Sequence, residues 1–578
     1  MPIKLIVLAV LLACPCVAGA QWYDPASGQS PMVLMAGPAD GVAYYEMLER
    51  ARALSQERRF AEAEPLLDQL VRDYPRDPET WTMLGRARYR LGKFREAAEA
   101  WERAGPLIGW DLEHANGYRV ALALAAAGDR SGALDWLRRM IFERHGIFRR
   151  SLEEWPEFAV LKDDPEFQEI IYRVNTDGWT RDQGWAYDLD FLYDELKRVN
   201  PDYRDRPLPA EVTRRYQALK RDIPRLSDEE IFVGMERMLA PLHQGHIALW
   251  GPPGNRYLPA RLYAFPEGLF IIESPDPALV GARIVAFGDT PAEEAMRLLA
   301  ERGSVDGDMQ HLWGVSRLAE TAYLRGLGLI PSVDSVPLTL QSRDGRTRTV
   351  RVATSATAPE GRQDRLAPPP GVAPPLFLRD IVVTQKHWET PLPEHDALYV
   401  QVNNLVNEQN ETLAQFGRRL WTVIDSVRPR NLILDLRHNN GGTTQLYPEL
   451  LRTLVAFSRT AGNQVYVLIG RRSFSATGNF VTDLERLVDP IFVGEATSEC
   501  CNLYGDPTRV VLPYSGTQGE LTAVKWQLST PSDRRREMSP EVPVQLTAAA
   551  YFAGQDPAME AVFRMIAARA GPAGAAPR

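Results

Sequence analysis

The sequence predicts a protein of several domains, in which an all-α region with an internal repeat comes first and an α/β region comes last. The chain has 578 residues, well above the roughly 100–200 of a single domain. Apolar positions recur at helical spacing through residues 44–140, and short β runs alternate with helical patterns from Ala397 onward. With 45% apolar and 24% charged residues, the composition is that of a globular protein, which excludes wholesale disorder and a coiled-coil rod.

The charge balance excludes two classes of partner. Lysine and arginine number 66 against 75 acidic residues, a formal net charge of −9. A nucleic acid or an anionic membrane surface would require a basic face, and we expect none. Beyond the N-terminal segment, no apolar run approaches the ~20 residues of a membrane-spanning helix. We therefore expect no integral membrane span.

Residues 1–20 have the pattern of a signal peptide. A basic residue precedes an apolar stretch (Leu5–Ala13), and Ala18–Ala20 provides the small residues of a signal-peptidase site. We therefore expect an exported protein, periplasmic or secreted. The run that ends at Cys14 resembles a lipoprotein box, so lipidation of Cys14 is the alternative.

A linker over residues 21–40 leads to a helical repeat, which we place at residues 41–178. Ala63 and Ala97 occupy equivalent positions 34 residues apart. This period and the Trp-Leu-Gly pattern at Trp81–Gly85 resemble the tetratricopeptide repeat, whose helical hairpins stack and expose a groove. The region predicts either a docking surface for a protein partner or a helical cap that packs on the rest of the chain.

Three segments separate the repeats from the α/β region. Residues 179–250 carry amphipathic patterns and predict a helical subdomain, whose last helix begins with a capping box at Ser227–Glu230. Residues 251–356 carry short β runs and predict a β module. Residues 357–376 are rich in proline, which lacks the amide hydrogen that a sheet requires, so they predict an extended linker.

Residues 377–565 predict the α/β core, and residues 566–578 predict a disordered tail. In an α/β sheet, ligands bind where the strands end. Gly441-Gly442 follows one apolar strand, and Ser475-Ala476 lies between the next strand and its helix. Paired glycines let backbone amides approach a ligand oxygen, and a serine at a helix start is well placed as a nucleophile. An ordinary turn and an ordinary helix N-cap are the alternatives.

These motifs resemble those of the tail-specific, C-terminal-processing serine peptidases. Asp435-Leu-Arg-His-Asn-Asn-Gly-Gly442 is similar to their Asp-Leu-Arg-x-Asn-x-Gly-Gly signature, Phe474-Ser475-Ala476 to their nucleophile segment, and Leu242–Ile247 to their Asp-Gly-His-Thr element. The resemblance implies a crotonase-like (ClpP-like) core and a PDZ-like fold for residues 251–356. It also implies hydrolysis of a polypeptide substrate through an acyl-enzyme on Ser475, without a cofactor or a metal.

The chain departs from many members of that family in its base. The stretch Ser498–Gly505, where they carry a lysine, contains none. In this respect the chain is more similar to the tricorn-core-like branch, in which a histidine from the helical subdomain accepts the proton. The resemblance therefore implies His246 as the base of Ser475, which needs a partner to lose its proton.

The same resemblance implies the remaining members of the site. Backbone amides of Gly441 or Gly442 and of Ala476 would hold the oxyanion. A carboxylate late in the chain would orient the imidazole, as in other triads. Asp533 is the first choice for that carboxylate, and the alternatives are Glu537 and Glu541.

Other interpretations of these residues remain open. His246 would alternatively be a buried structural histidine, and His438, beside the glycine turn, is a second candidate base. His243 and His246 would supply half of a metal site, but no third ligand follows in sequence. We expect Arg437 to brace the glycine turn.

Two functions of other classes compete with a peptidase. The missing lysine favours a catalytically inactive scaffold that binds peptides through the repeats and the PDZ-like module. An acyl-CoA enzyme of the same fold is the second, and the export signal argues against it. Cys500 and Cys501 are adjacent and cannot join distant elements, so we expect two buried thiols rather than a vicinal disulfide.

Overall fold

The computed structural model describes residues 41–570 except 109, 147, 302–313, 359–365, 367 and 380–385. The predicted signal peptide and the linker that follows it lie outside the described residues. The chain divides into two compact units, Met1–Arg173 and Val174–Arg578. Within the described part of the chain, no helix is both long enough and apolar enough to cross a membrane.

The first unit is built from consecutive helices that pack against their neighbours in sequence. Gly85 allows one of these contacts, because a Cβ there would lie 2.5 Å from the indole Nε1 of Trp101 on the next helix. Asp77 and Asp129 cap two of the helices with their carboxylates. The helices are Gly41–Gln56 (α1), Phe60–Asp73 (α2), Pro78–Arg90 (α3), Phe94–Ile108 (α4), Trp110–Ala126 (α5), Arg130–Arg138 (α6) and Pro165–Ile170 (α7).

The second unit begins with three helices, Arg181–Val199 (α8), Ala210–Asp222 (α9) and Asp228–Leu239 (α10). The predicted capping box is confirmed, since the Ser227 hydroxyl accepts the Glu230 amide while the Glu230 carboxylate accepts the Ser227 amide. After α10 the chain turns through a left-handed residue, His243, into the short strand β1.

An antiparallel sheet follows, with strand order β2-β3-β4-β6-β7 and β5 paired to β4. Along β6, buried apolar side chains alternate with half-buried ones, so one face of the strand is buried. Among the described residues of this segment, α-helices run over Ala292–Ala300 (α11), Val315–Arg317 (α12) and Thr321–Gly326 (α13). The strands to this point are Ala248–Leu249 (β1), Arg261–Phe265 (β2), Gly268–Glu273 (β3), Arg283–Phe287 (β4), Thr290–Pro291 (β5), Ser335–Gln341 (β6) and Thr347–Ala353 (β7).

The α/β core is a sheet of order β17-β12-β11-β10-β9-β8, parallel except for the antiparallel β8–β9 pair. Its central strands are buried on both faces, as parallel strands usually are. The strands of this sheet are His387–Leu392 (β8), Ala397–Val402 (β9), Asn431–Asp435 (β10), Gln464–Ile469 (β11), Ile491–Gly494 (β12) and Val542–Pro543 (β17). Strands outside it are Tyr504–Gly505 (β13), Thr508–Val511 (β14), Gln518–Leu521 (β15) and Val524–Lys525 (β16); β14 and β15 form a sheet with β1, and β13 pairs with β16.

Helices cover both faces of this sheet. Leu413–Val427 (α14), Pro448–Ser458 (α15) and Ala476–Leu487 (α16) pack on one face against strand residues such as Leu434. The short helix Ala548–Phe552 (α17) precedes Pro557–Ala570 (α18), which packs on the other face. Helix α18 extends into the range predicted as a tail because its apolar side chains reach the sheet: Ile566 is buried.

The parallel order of β10 and β11 positions the site. Their residues pair in register from Asn431 opposite Gln464 to Asp435 opposite Leu468. Since both strands end at the same edge, the loops that follow them must leave the sheet side by side. One loop carries Gly441-Gly442 and the other carries Ser475.

We expect Gly417→Ala to destabilise the α/β core. A Cβ at Gly417 in α14 would lie 2.7 Å from the backbone nitrogen of Leu450 in α15. Because backbone cannot move aside cheaply, overpacking should cost about 1–3 kcal/mol and exceed the ~1 kcal/mol by which alanine favours a helix. Scanning calorimetry should show a lower Tm. Ser426→Ala, at an exposed site of the same helix, should change stability by less than about 0.5 kcal/mol.

Candidate active site

Ser475 lies at the junction between strand β11 and helix α16. It is the N-cap residue of α16, with φ 58° and ψ −125°, and its side chain makes no capping hydrogen bond. A non-glycine residue with positive φ is strained, and such strain is found where a strand turns sharply into a helix to present a nucleophile. Ser475 is half-buried, and its Oγ makes no hydrogen bond to the amides of the helix that it begins.

His246 meets this hydroxyl from 229 residues away in the sequence. Its Nε2 lies 3.0 Å from Ser475 Oγ, a hydrogen-bond distance. The imidazole is 7% exposed and stacks on the ring of Phe474, with ring centroids 4.4 Å apart. Two residues later the chain enters β1, which pairs with β15 and so anchors the loop that carries His246.

Glu499 lies on the other side of the imidazole. One of its carboxylate oxygens, Oε2, is 3.6 Å from His246 Nδ1, and both side chains are buried. The close approach requires Gly245, where a Cβ would lie 2.4 Å from Glu499 Oε1. Ser475, His246 and Glu499 thus stand in series, with a hydrogen bond between the first two and an ionic contact, longer than a hydrogen bond, between the last two.

The carboxylate of Glu499 also governs the charge of His246. Burial opposes protonation of the ring, but the adjacent negative charge outweighs burial and raises the pKa of His246 above its ordinary value. The protonated ring is therefore more favoured here than in an ordinary histidine.

The structure does not bring Asp533 to His246, which corrects the expectation that this carboxylate orients the imidazole. Asp533 accepts hydrogen bonds from the guanidinium of Arg535 at 2.9 Å and from Ser529 Oγ at 2.7 Å. Arg535 and Ser529 hold the pKa of Asp533 well below its ordinary range. The carboxylate of Asp533 instead pairs with Arg535, two residues away in the chain. The position of Asp533 in the sequence relative to Ser475 did not indicate this local pairing.

The two alternatives to Asp533 lie elsewhere as well. Glu541 accepts the backbone amide of Phe492 at 2.7 Å and so belongs to the sheet. Glu537 lies with Asp533 on the wall of a cavity of about 390 Å³, which Glu499 and Gly245 also line. The cavity wall includes Gly245 and Glu499 but neither Ser475 nor His246.

Of the three predicted oxyanion donors, Gly441 differs from the other two because its amide already has an acceptor. The Gly441 amide donates to Asn439 Oδ1 at 3.0 Å, so it is engaged. Gly442 pairs with Leu405 as an isolated parallel bridge, in which the flanking groups Gly441 C=O and Thr443 N–H make the bonds. The Gly442 amide therefore faces away from Leu405. Ala476 is the first residue of α16, where an amide has no partner within the helix.

The two loops are in van der Waals contact at this point. A Cβ at Gly441, where φ is 101°, would lie 2.7 Å from Ser475 Cβ and 3.0 Å from the Ala476 nitrogen. Only glycine fits both the conformation and the space. The glycine turn and the helix start thus form one continuous surface around Ser475.

Asn439 holds this surface together. Its fully buried Oδ1 accepts both the Gly441 amide and the Thr477 hydroxyl, the latter at 2.6 Å. Its backbone carbonyl accepts the Phe474 amide at 3.2 Å. Through its side chain and its backbone carbonyl, this one residue therefore joins the β10 loop to both sides of the nucleophile.

Arg437 braces the same loop from beneath, at the end of strand β10. Its guanidinium donates to Asp435 Oδ2 at 2.6 Å and to Asp556 at 2.7 and 2.8 Å. Burial would raise the pKa of Asp435, but the charge of Arg437 outweighs burial and lowers it. His438, the second candidate base, instead stacks on Phe377 and lines a separate cavity of about 50 Å³.

Cys500 and Cys501 form a vicinal disulfide, which corrects the expectation of two thiols. Both residues are buried within the core beside helix α16. Adjacent cysteines can be joined when the backbone turns sharply, and Cys501 has φ 72°. Among the described residues, no group of three or more histidine, cysteine or acidic side chains could hold a metal ion.

Comparison with known proteins bears on both units. A tetratricopeptide-repeat family model matches residues 48–106, which confirms the predicted repeat there. A search of curated proteins gave no significant match.

Solved structures resemble about two thirds of the chain. Mature CPAF complexed with lactacystin is 14% identical, with a TM-score of 0.50, and the match covers 67% of this chain and 99% of that one. A CPAF serine-to-alanine mutant is 13% identical, also with a TM-score of 0.50, over 68% and 99% of the two chains. At this identity the likeness establishes a shared fold. The photosystem II D1 C-terminal processing protease, 14% identical over 67% and 98%, has a TM-score of only 0.32 and carries no weight.

Glu499 is the site residue that the sequence did not identify. It lies in the stretch Ser498–Gly505, where other members of the resembled family carry a lysine and this chain carries none. Glu499 is the one acidic residue of that stretch, and this was the only signal in the sequence that could have suggested it. Its proximity to His246 depends on how the helical segment folds back, which a local pattern does not contain.

We expect Glu499→Gln to lower the pKa of His246. Without this negative charge, only the weaker effects of Glu520 and of the Tyr504 backbone oppose burial, so the neutral ring persists to lower pH. The pH dependence of His246 carbethoxylation by diethyl pyrocarbonate, followed by peptide mass spectrometry, should shift its midpoint downward. Glu537→Gln, on the same cavity wall, should leave the midpoint in place, and an equal shift in both variants would contradict the assignment.

We expect Asn439→Ala to slow the reaction of Ser475 with a fluorophosphonate probe. The variant leaves the Gly441 amide and the Thr477 hydroxyl without their acceptor, a cost of about 1–3 kcal/mol. The loops around Ser475 should therefore lose their alignment, and the labelling rate should fall about tenfold or more. The control is Asn440→Ala, a change on the same loop as Asn439 that removes the acceptor of the Asn404 side chain. Similar rates in the two variants would show that Asn439 does not align the site.

Proposed function

We propose that this protein is a serine peptidase of the tail-specific type, which hydrolyses polypeptides through an acyl-enzyme on Ser475. The observation that carries the proposal is the 3.0 Å contact between Ser475 Oγ and His246 Nε2, with Glu499 behind the imidazole. A hydroxyl, an imidazole and a carboxylate in series constitute a nucleophile, its base and the group that stabilises the charged base. The fold shared with CPAF is consistent with this chemistry.

In the first step Ser475 Oγ attacks the substrate carbonyl carbon while His246 Nε2 accepts the hydroxyl proton. The carbonyl oxygen becomes an oxyanion, which the amides of Gly442 and Ala476 are placed to bind. One such donor typically contributes about 3–4 kcal/mol to the transition state. The imidazolium that forms is stabilised by the adjacent Glu499 carboxylate.

In the second step His246 donates its proton to the leaving amine, the C–N bond breaks, and the acyl group remains on Ser475. Water then enters, gives a proton to His246 and attacks the ester carbonyl. Collapse of this second intermediate releases the carboxylate product and returns the proton to Ser475.

Several parts of the molecule support roles around this reaction. We assign a PDZ-like fold to the β module at 251–356 and a crotonase-like fold to the core at 377–565. The repeats supply a surface for a protein partner, as stacked helical hairpins commonly do. The N-terminal pattern over residues 1–20 supports export to the periplasm or the exterior, where a disulfide is stable.

Two variants test the function. Ser475→Ala should abolish labelling by a fluorophosphonate and hydrolysis of casein or a fluorogenic peptide, and His246→Ala should lower kcat by about a thousandfold or more. Ser426→Ala, at an exposed site of α14, should behave as wild type.

The outcomes distinguish the candidate functions. Full activity in His246→Ala would exclude His246 as the base while leaving Ser475 as the nucleophile. A folded wild-type protein that neither reacts with the probe nor hydrolyses peptides would favour the inactive scaffold. Turnover of an acyl-CoA thioester in place of peptides would favour the acyl-CoA enzyme.

A further inference from the structure

The segment that carries Glu499 is held from both sides. A Cβ at Gly478, one turn into α16 from the nucleophile, would lie 2.8 Å from the Glu499 carbonyl oxygen. On the side-chain face, Gly245 leaves room for the carboxylate beside His246. Glu499 therefore occupies a narrow space between the nucleophile helix and the histidine loop, and a small movement of its backbone would move its carboxylate relative to Nδ1.

The vicinal disulfide begins at the next residue. It closes a ring through the Cys500–Cys501 peptide and covalently limits the backbone directly after Glu499. The Cys500 amide donates to the Arg536 carbonyl at 3.0 Å, and the Cys501 amide donates to Thr482 Oγ1 of α16 at 2.9 Å. The ring is thus tied to the same helix whose first turn presents Ser475.

Cys501 has a conformation that a free cysteine would rarely adopt. Its φ of 72° lies in the left-handed region, where a side chain other than that of glycine or asparagine is disfavoured. The covalent ring holds the residue there. If the ring opened, Cys501 would be free to relax toward negative φ, and the direction of the chain that leaves Glu499 would change.

We propose that the Cys500–Cys501 disulfide is a positioning device for Glu499, so that the peptidase is fully active only in its oxidised form. The inference rests on the proposed function. The disulfide does not touch the reacting atoms and acts only through the place of the Glu499 carboxylate. Cys500 lines the cavity beside Glu499 but is only 1% exposed, so a reductant must reach the ring through that cavity.

The redox step is a thiol–disulfide exchange with a dithiol. A thiolate of the dithiol attacks one cysteine sulfur, the S–S bond breaks, and the other cysteine leaves as a thiolate. The second thiol of the reductant then attacks the reductant sulfur of the mixed disulfide, which releases the first cysteine. Two electrons and two protons pass to Cys500 and Cys501, and the dithiol becomes a disulfide. Reoxidation by a disulfide of the same class reverses the exchange.

The test compares Cys500→Ser/Cys501→Ser, Glu499→Gln and the triple variant in the full chain, with kcat and KM measured against pH on a fluorogenic peptide. The double cysteine variant should lower kcat at least tenfold with little change in KM, since displacement of a catalytic group by about 1 Å can cost about a hundredfold. Its acid limb should move to lower pH, as in Glu499→Gln. The triple variant should be no worse than Glu499→Gln, because the cysteines act through that carboxylate.

Three results would overturn the proposal. In the first, the double cysteine variant keeps its kcat and its acid limb. In the second, the losses of the double cysteine variant and of Glu499→Gln multiply in the triple variant. In the third, reduction of the disulfide by dithiothreitol leaves the activity of wild type unchanged. The last measurement also serves if the variants do not fold, with alkylation and peptide mapping to follow Cys500 and Cys501. A disulfide that resists dithiothreitol in the folded enzyme would overturn the redox dependence.

The same data separate this inference from the proposed function. Oxidised wild type that neither hydrolyses peptide nor reacts with a fluorophosphonate would defeat the peptidase assignment. Oxidised wild type that is active but indifferent to the state of Cys500 and Cys501 would defeat only the positioning role.

Discussion

A single hydrogen bond joins the helical segment of the second unit to its α/β core at the chemical centre. His246 Nε2 and Ser475 Oγ lie 3.0 Å apart, and each is held by a different structural device. Strand β1 pairs with β15 and anchors the loop of His246, whereas Ser475 is held at a positive φ between β11 and α16. Buried neighbours on both sides leave each group little freedom.

The surroundings of that bond are built from close approaches that only small residues permit. Gly441 and Gly245 stand where a Cβ would collide with Ser475 or with Glu499. Asn439 replaces the lost side-chain contacts with hydrogen bonds to the glycine turn and to Thr477. The absence of a side chain at Gly441 and Gly245 thus lets the loops approach each other closely. The buried side-chain amide of Asn439 then holds the glycine turn against the start of α16 through hydrogen bonds.

The candidate nucleophile and the glycine turn were predictable because their signals are local. A parallel sheet brings the ends of β10 and β11 to one edge, so residues that follow these strands must meet there. The orienting carboxylate was not predictable in this way. Asp533 pairs with Arg535 two residues away, and Glu499 reaches His246 only because the histidine loop folds over the end of α16.

The sequence by itself determined the repeat, the alternation of strands and helices, and the segments that carry Ser475 and His246, because periodicity and turn chemistry act between residues close in the chain. Tertiary structure alone decided which carboxylate faces His246, which glycine amide remains available and that Cys500 and Cys501 are joined. These features depend on distances between segments far apart in sequence and on local competition for partners, and neither is encoded in a short pattern.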